Sequence, residues 1–115
     1  MAFDMIRPRI GGVERGGRME TYVILRRNGW RTGGDLQEAA ARSTAEGDAT
    51  PDDIRWIRSY VLAEPDGSLG TVCIYQASSE AAIRDHAERA GLPVDEVIQV
   101  ADTVLVRPDP EPAAA

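Results

Sequence analysis

A chain of 115 residues supports one hydrophobic core and not two. Its 43% apolar content fits a globular protein, and its 13 basic residues, all arginine, are outnumbered by 19 acidic ones. The net charge of −6 excludes a nucleic-acid partner, the lone Cys73 excludes an internal disulfide and points to a reducing cytoplasm, and no apolar run reaches the roughly 18 residues of a membrane span.

Residues 1–18 carry Pro8, Gly11, Gly12, Gly16 and Gly17 with little apolar periodicity, which predicts a flexible leader without a signal peptide. Glu20–Arg27 is rich in β-branched and aromatic residues and reads as a strand. Asn28-Gly29 and Gly33-Gly34 then mark a loop around Trp30. Asp35 is placed to cap a helix from Leu36 to about Glu46, with Leu36, Ala39, Ala40 and Ser43 on one face and Gly47 as its stop. A turn centred on Pro51 leads to a strand over Ile54–Leu62. Glu64-Pro65-Asp66-Gly67-Ser68 is a strong turn signal, and Leu69–Gln76 follows as the antiparallel partner strand.

Ser78 or Ser79 caps a second helix, with Glu80 in its first turn and Ile83, Ala87 and Ala90 on one face. Gly91 ends that helix and Pro93 prevents its resumption. Val97–Val106 reads as a last strand, and residues 109–115 as a disordered tail. The order strand, helix, strand, strand, helix, strand gives an α+β, ferredoxin-like βαββαβ domain over residues 19–108. Two helices then cover one face of a four-stranded antiparallel sheet.

Side chains alternate between sheet faces along a strand. In the hairpin, Trp56, Arg58, Tyr60, Thr71, Cys73 and Tyr75 form one set, and Ile57, Ser59, Val61, Val72 and Ile74 the other. The second set is small and aliphatic and suits the underside of the helices, which leaves the first on the open face. That much aromatic surface in water predicts a homodimer, as in a dimeric α/β barrel.

The motifs Trp56-x-x-Ser59-Tyr60-Val61, Cys73-x-Tyr75-x-Ala77, Ile83-Arg84-x-His86-Ala87 and Gly91-x-Pro93 resemble a family of small bacterial proteins with a ferredoxin-like fold. The likeness spans roughly Met19 to Pro108, with Tyr22-Val23-Ile24 as a weaker match to the first strand. The family's member type is described as a nickel-binding, nickel-responsive protein, so the resemblance implies the fold and makes nickel a candidate ligand.

His86, the only histidine, lies beside the apolar face of the second helix and is a structural histidine, a metal ligand, or a ligand-binding or proton-transferring group. No HxxxH, CxxC or ExxH pattern accompanies it, and one histidine with one cysteine cannot close a transition-metal site without carboxylates or a second subunit. Cys73 is a small strand hydrophobe or a thiol for which only His86 offers a base. Arg58 is suited to a carboxylate or phosphate, or to bridging a dimer. Trp56, Tyr60 and Tyr75 are interface or core residues, or a stacking platform. The glycines of residues 29–34 lack the Lys-Ser/Thr of a phosphate loop.

Two function classes follow. The first is a small cytoplasmic protein binding a metal ion or small ligand, with His86 as metal ligand and Arg58, Tyr60, Cys73, Trp56 and Tyr75 lining the ligand site. The alternative is an enzyme without an organic cofactor, of isomerase, cyclase or monooxygenase type, using the sheet-face pocket of a dimer. The shortage of titratable groups near any one place argues for binding over acid–base chemistry.

Overall fold

A computed structural model describes residues 18–112; the expected leader up to residue 17 and the last three residues of the expected tail lie outside the described residues. The elements are β1 (Glu20–Trp30), α1 (Gly33–Ala49), β2 (Ile54–Ala63), β3 (Leu69–Ala77), α2 (Glu80–Ala90) and β4 (Glu96–Gln99). All strand pairs are antiparallel and the sheet order is β2-β3-β1-β4, the ferredoxin-like arrangement expected from the element order.

The ends of the elements follow local chemistry, with some shifts from expectation. β1 continues past Arg27 because Asn28, at φ 51, takes the left-handed conformation within an irregularity between Arg26 and Trp30 rather than opening a loop. The cap of α1 is Thr32, whose hydroxyl accepts the Asp35 N–H at 3.1 Å, so Asp35 sits in the first turn instead of at the cap. Gly47 does not stop this helix. It runs to Ala49 and ends where Pro51 excludes the helical conformation for Thr50. Ser79 caps α2, and Gly91 closes it in the left-handed conformation at φ 70 and ψ 41.

The last strand is far shorter than Val97–Val106. Gln99 pairs with Tyr22, and Val100 donates its N–H to the Thr21 carbonyl at 2.8 Å, so the ladder reaches the start of β1 and runs out of partner. Residues 100–112 continue without regular structure. Asp109, expected in the free tail, accepts hydrogen bonds from Arg58 Nη1 at 2.8 Å and Tyr60 Oη at 2.7 Å on the far edge of the sheet.

The core lies between the sheet and the helices. Tyr22, Ile24, Cys73, Tyr75, Ala77 and Ile54 from the strands meet Ile83 of α2. Arg42 Nε donates to the Ala90 carbonyl at 2.7 Å and ties α1 to the end of α2. At the hairpin end, Glu64 accepts from Arg27 Nε at 2.9 Å, Arg27 Nη2 at 2.7 Å and the Asn28 N–H at 2.9 Å. These bonds hold the Glu64 carboxyl below its ordinary range, the Arg27 hydrogen bond first. Gly70 permits that approach, since a Cβ there would stand 2.6 Å from the Arg26 carbonyl oxygen and closer still to the Glu64 carboxylate.

The expected division of the hairpin faces is overturned. Tyr22, Ile24 and Arg26 pair with Tyr75, Cys73 and Thr71, and all six are buried on the helix side. Val72 and Ile74 point to the face away from the helices. The inward residues of α1 are Ala39 and Ser43, and α2 adds Ala87 and Ala90 among its buried residues. Side chains this small leave room that aromatic rings from the sheet fill better than valines. On β2 the register with β3 slips between Trp56 and Arg58, so Ile57 is an extra residue and the alternation changes parity there. Trp56 therefore shares the helix side with Ser59 and Val61, while Arg58 and Tyr60 turn to the other face.

Candidate functional site

β2 is the edge strand, and α1 does not close over it. Trp56 remains 39% exposed and Val61 54% exposed although both sit on the helix side. The gap is a cavity of about 420 Å³ between α1, β2 and the inner ends of β1 and β3. Leu36, Ala39, Ala40 and Ser43 line it from the helix; Trp56, Ile57, Ser59 and Val61 from β2; Thr71, Cys73 and Tyr75 from β3; Arg26 and Trp30 from β1.

Its floor is organised around Tyr75. The Trp56 and Tyr75 rings are parallel within 4°, with centroids 6.1 Å apart, and Trp56 Nε1 donates to Ser59 Oγ at 2.8 Å, which holds the indole plane. Tyr75 Oη and Ser43 Oγ share a hydrogen bond of 2.9 Å, and Ser43 Oγ lies 3.1 Å from His86 Nε2. The imidazole meets the Tyr75 ring edge-on at 5.7 Å. Burial raises the Tyr75 hydroxyl pKa above its ordinary value. Burial also lowers that of His86, helped by the charges of Arg26 and Arg89, which favours the neutral imidazole. His86 Nδ1 has no hydrogen-bond partner among the described residues.

Arg26 is the other buried polar group of the site. It is 1% exposed, its guanidinium carbon stands 6.0 Å from the centre of the Tyr75 ring, and neither Nε nor Nη2 has a hydrogen-bond partner among the described residues. Cys73, 5% exposed, donates its S–H to Thr71 Oγ1 at 3.3 Å and packs as a small side chain in the cavity floor.

The residues expected at a ligand site are thus divided. Trp56, Cys73 and Tyr75 meet at the cavity, with His86 behind Tyr75. Tyr60 and the Arg58 guanidinium lie on the opposite face with Asp109, although the Arg58 position borders the cavity at the bulge. The expected grouping of His86 with Tyr60 and Arg58 is not formed. Arg26, Ser43 and Trp30 escaped the sequence reading as site residues. Arg26 was detectable as the third member of the alternation Tyr22, Ile24, Arg26.

No group of three or more His, Cys, Asp or Glu side chains among the described residues is placed to hold a metal ion. No helix among them is long and apolar enough to cross a membrane.

Residues 22–100 match the family described as nickel responsive protein SCO4226-like. Among solved structures, the crystal structure of SCO4226 from Streptomyces coelicolor A3(2) superposes with a TM-score of 0.56 at 22% identity, covering 73% of this chain and 99% of that one. At that identity the likeness speaks for the fold. No curated protein matches the chain.

Proposed function

The chain belongs to the nickel-responsive SCO4226-like family, and within that family we propose that it is a small-ligand-binding protein whose guest occupies the cavity between α1 and β2. The observation that carries this reading is the cavity itself. At about 420 Å³ it falls within the roughly 300–1,000 Å³ of small-molecule sites, and its walls are mainly apolar with a few convergent polar groups. The chain's two tryptophans, Trp30 and Trp56, both line it, so intrinsic fluorescence reports directly on occupancy. Titration with 1-hexanol, a neutral apolar probe, is expected to give a saturable change in tryptophan emission. A flat response through the millimolar range refutes the reading.

The family description favours nickel as a second reading, with His86 as its first ligand. Its Nδ1 is buried and has no hydrogen-bond partner among the described residues, and a second concavity of about 490 Å³ beside it includes Asp48. The donors of one chain do not fit a closed centre, since one imidazole and one thiol are all that the sequence offers besides carboxylates. His86 and Cys73 also lie under the helices, so a second copy docking on the opposite sheet face does not double them. Calorimetric titration with nickel separates the readings. Binding that is lost in His86→Ala, with folding intact, supports the metal reading, and absence of heat in the parent removes it.

The homodimer and the cytoplasmic location remain part of the proposal. Support for the dimer now comes from the sheet face away from the helices, where Ile98 is 48% exposed beside Val23, Val72 and Ile74, rather than from Trp56 and Tyr75. Sedimentation at micromolar concentration that returned the monomer mass of 12.5 kDa removes the dimer.

A further inference from the structure

The inward row of β1 carries Tyr22, Ile24 and then Arg26, a charge placed where the pattern calls for an apolar residue. Its side chain is buried and borders the cavity, and no acidic residue among the described ones lines that cavity. Nε and Nη2 are fully buried guanidinium nitrogens with no hydrogen-bond partner among the described residues. In a planar guanidinium, Nε–H and the Nη–H on the same side run parallel along one edge, spaced to meet the two oxygens of a single carboxylate. These two buried donors are therefore a matched pair. A buried cation without a counter-charge, as Arg26 is among the described residues, is strongly unfavourable, and the Tyr75 ring beside it offsets only part of that cost.

Resting on the cavity reading above, we infer that the guest is an organic carboxylate, held side-on by Arg26 Nε and Nη2 while its apolar body lies against Trp56, Leu36 and Ala40. Paired with this anion, Arg26 becomes a satisfied buried ion pair with bidentate geometry. The apolar walls disfavour an inorganic anion, which has no hydrocarbon to bury against them.

The test is calorimetry at neutral pH with hexanoate, 1-hexanol and inorganic phosphate as probes, on the full chain and on Arg26→Met. The parent is expected to prefer hexanoate over hexanol on the order of tenfold to hundredfold, the range set by a charge-assisted pair of hydrogen bonds. In Arg26→Met the preference for hexanoate over hexanol disappears. If that variant does not fold, Arg26→Lys, which keeps the charge but not the fork, is expected to reduce the preference to a few-fold. Equal binding of hexanoate and hexanol by the parent overturns the role of Arg26 and leaves the cavity reading standing. Binding of neither overturns both. A preference that survives in the variants places the anion elsewhere, and phosphate binding as tightly as hexanoate overturns the assignment to an organic acid.

Discussion

In the guest-free protein Arg26 is a liability, and replacing it should raise stability. The side chain is 1% exposed, with Nε and Nη2 unpartnered. Each buried donor left without an acceptor costs about 1–3 kcal/mol. The cation–π contact with Tyr75 returns roughly 0.5–2 kcal/mol. Methionine fills the space of the arginine stem, adapts to irregular surroundings and brings no charge. The balance predicts that Arg26→Met gains about 1–3 kcal/mol, in line with what replacing buried ionic groups by apolar ones of similar volume achieves elsewhere. For a domain of this size each kcal/mol raises Tm by about 4–8 °C. The assay is urea denaturation followed by circular dichroism, on protein refolded from urea so that no guest from the host remains. A higher midpoint with an unchanged slope is the expected result. A variant less stable than the parent by 1 kcal/mol or more shows that the guanidinium is satisfied without a guest, and refutes the reasoning.

Ser43→Ala removes the group that links Tyr75 Oη to His86 Nε2, and should cost about 1–3 kcal/mol in urea, since two buried polar atoms lose their partner; unchanged stability shows that water replaces the hydroxyl. His86 is the only imidazole in the chain, and burial lowers its folded-state pKa below the unfolded value near 6.5. The unfolded chain therefore binds more protons in that window, so stability is full above about pH 6.5 and falls as pH drops through the folded-state pKa. His86→Gln should flatten that limb, and a parent whose Tm does not change between pH 7 and pH 5 contradicts the burial argument. Gly91→Ala forces a side chain into the left-handed cap at φ 70 and should lower stability by about 1 kcal/mol, whereas the same change at the exposed α1 position Gly33, where nothing lies within 4 Å of the added methyl, should raise it.

Much of the fold was legible because its signals are local. The β-branched run of β1, the Pro-Asp-Gly turn of the hairpin, Ser79 before α2 and Gly91 after it each act within a few residues, and together they dictate the order of elements. The last strand was overextended for the opposite reason. Val97–Val106 has strand composition throughout, but a strand ends where its partner ends, and β1 starts at Glu20. That limit is set by a segment more than seventy residues away and leaves no mark on the residues it stops.

The site was less legible than the fold because it depends on parity, and parity is a property of whole strands. A single extra residue at Ile57 sends Trp56 to the cavity and Arg58 to the opposite face, although the sequence places the two in one alternating set. The choice of which β3 set lies under the helices also required weighing both sides of the interface. Ala39, Ser43, Ala87 and Ala90 are too small to fill the space above a sheet by themselves, so the large residues Tyr22 and Tyr75 belong beneath them. Once Tyr75 is assigned inward, its hydroxyl demands a partner and Ser43 is the inward polar residue of α1. Ile24 follows Tyr22 inward, and the same alternation carries Arg26 into the cavity. A charged residue that inherits a core position from its neighbours, and finds no counter-charge there among the described residues, is the feature of this chain that most directly calls for a ligand.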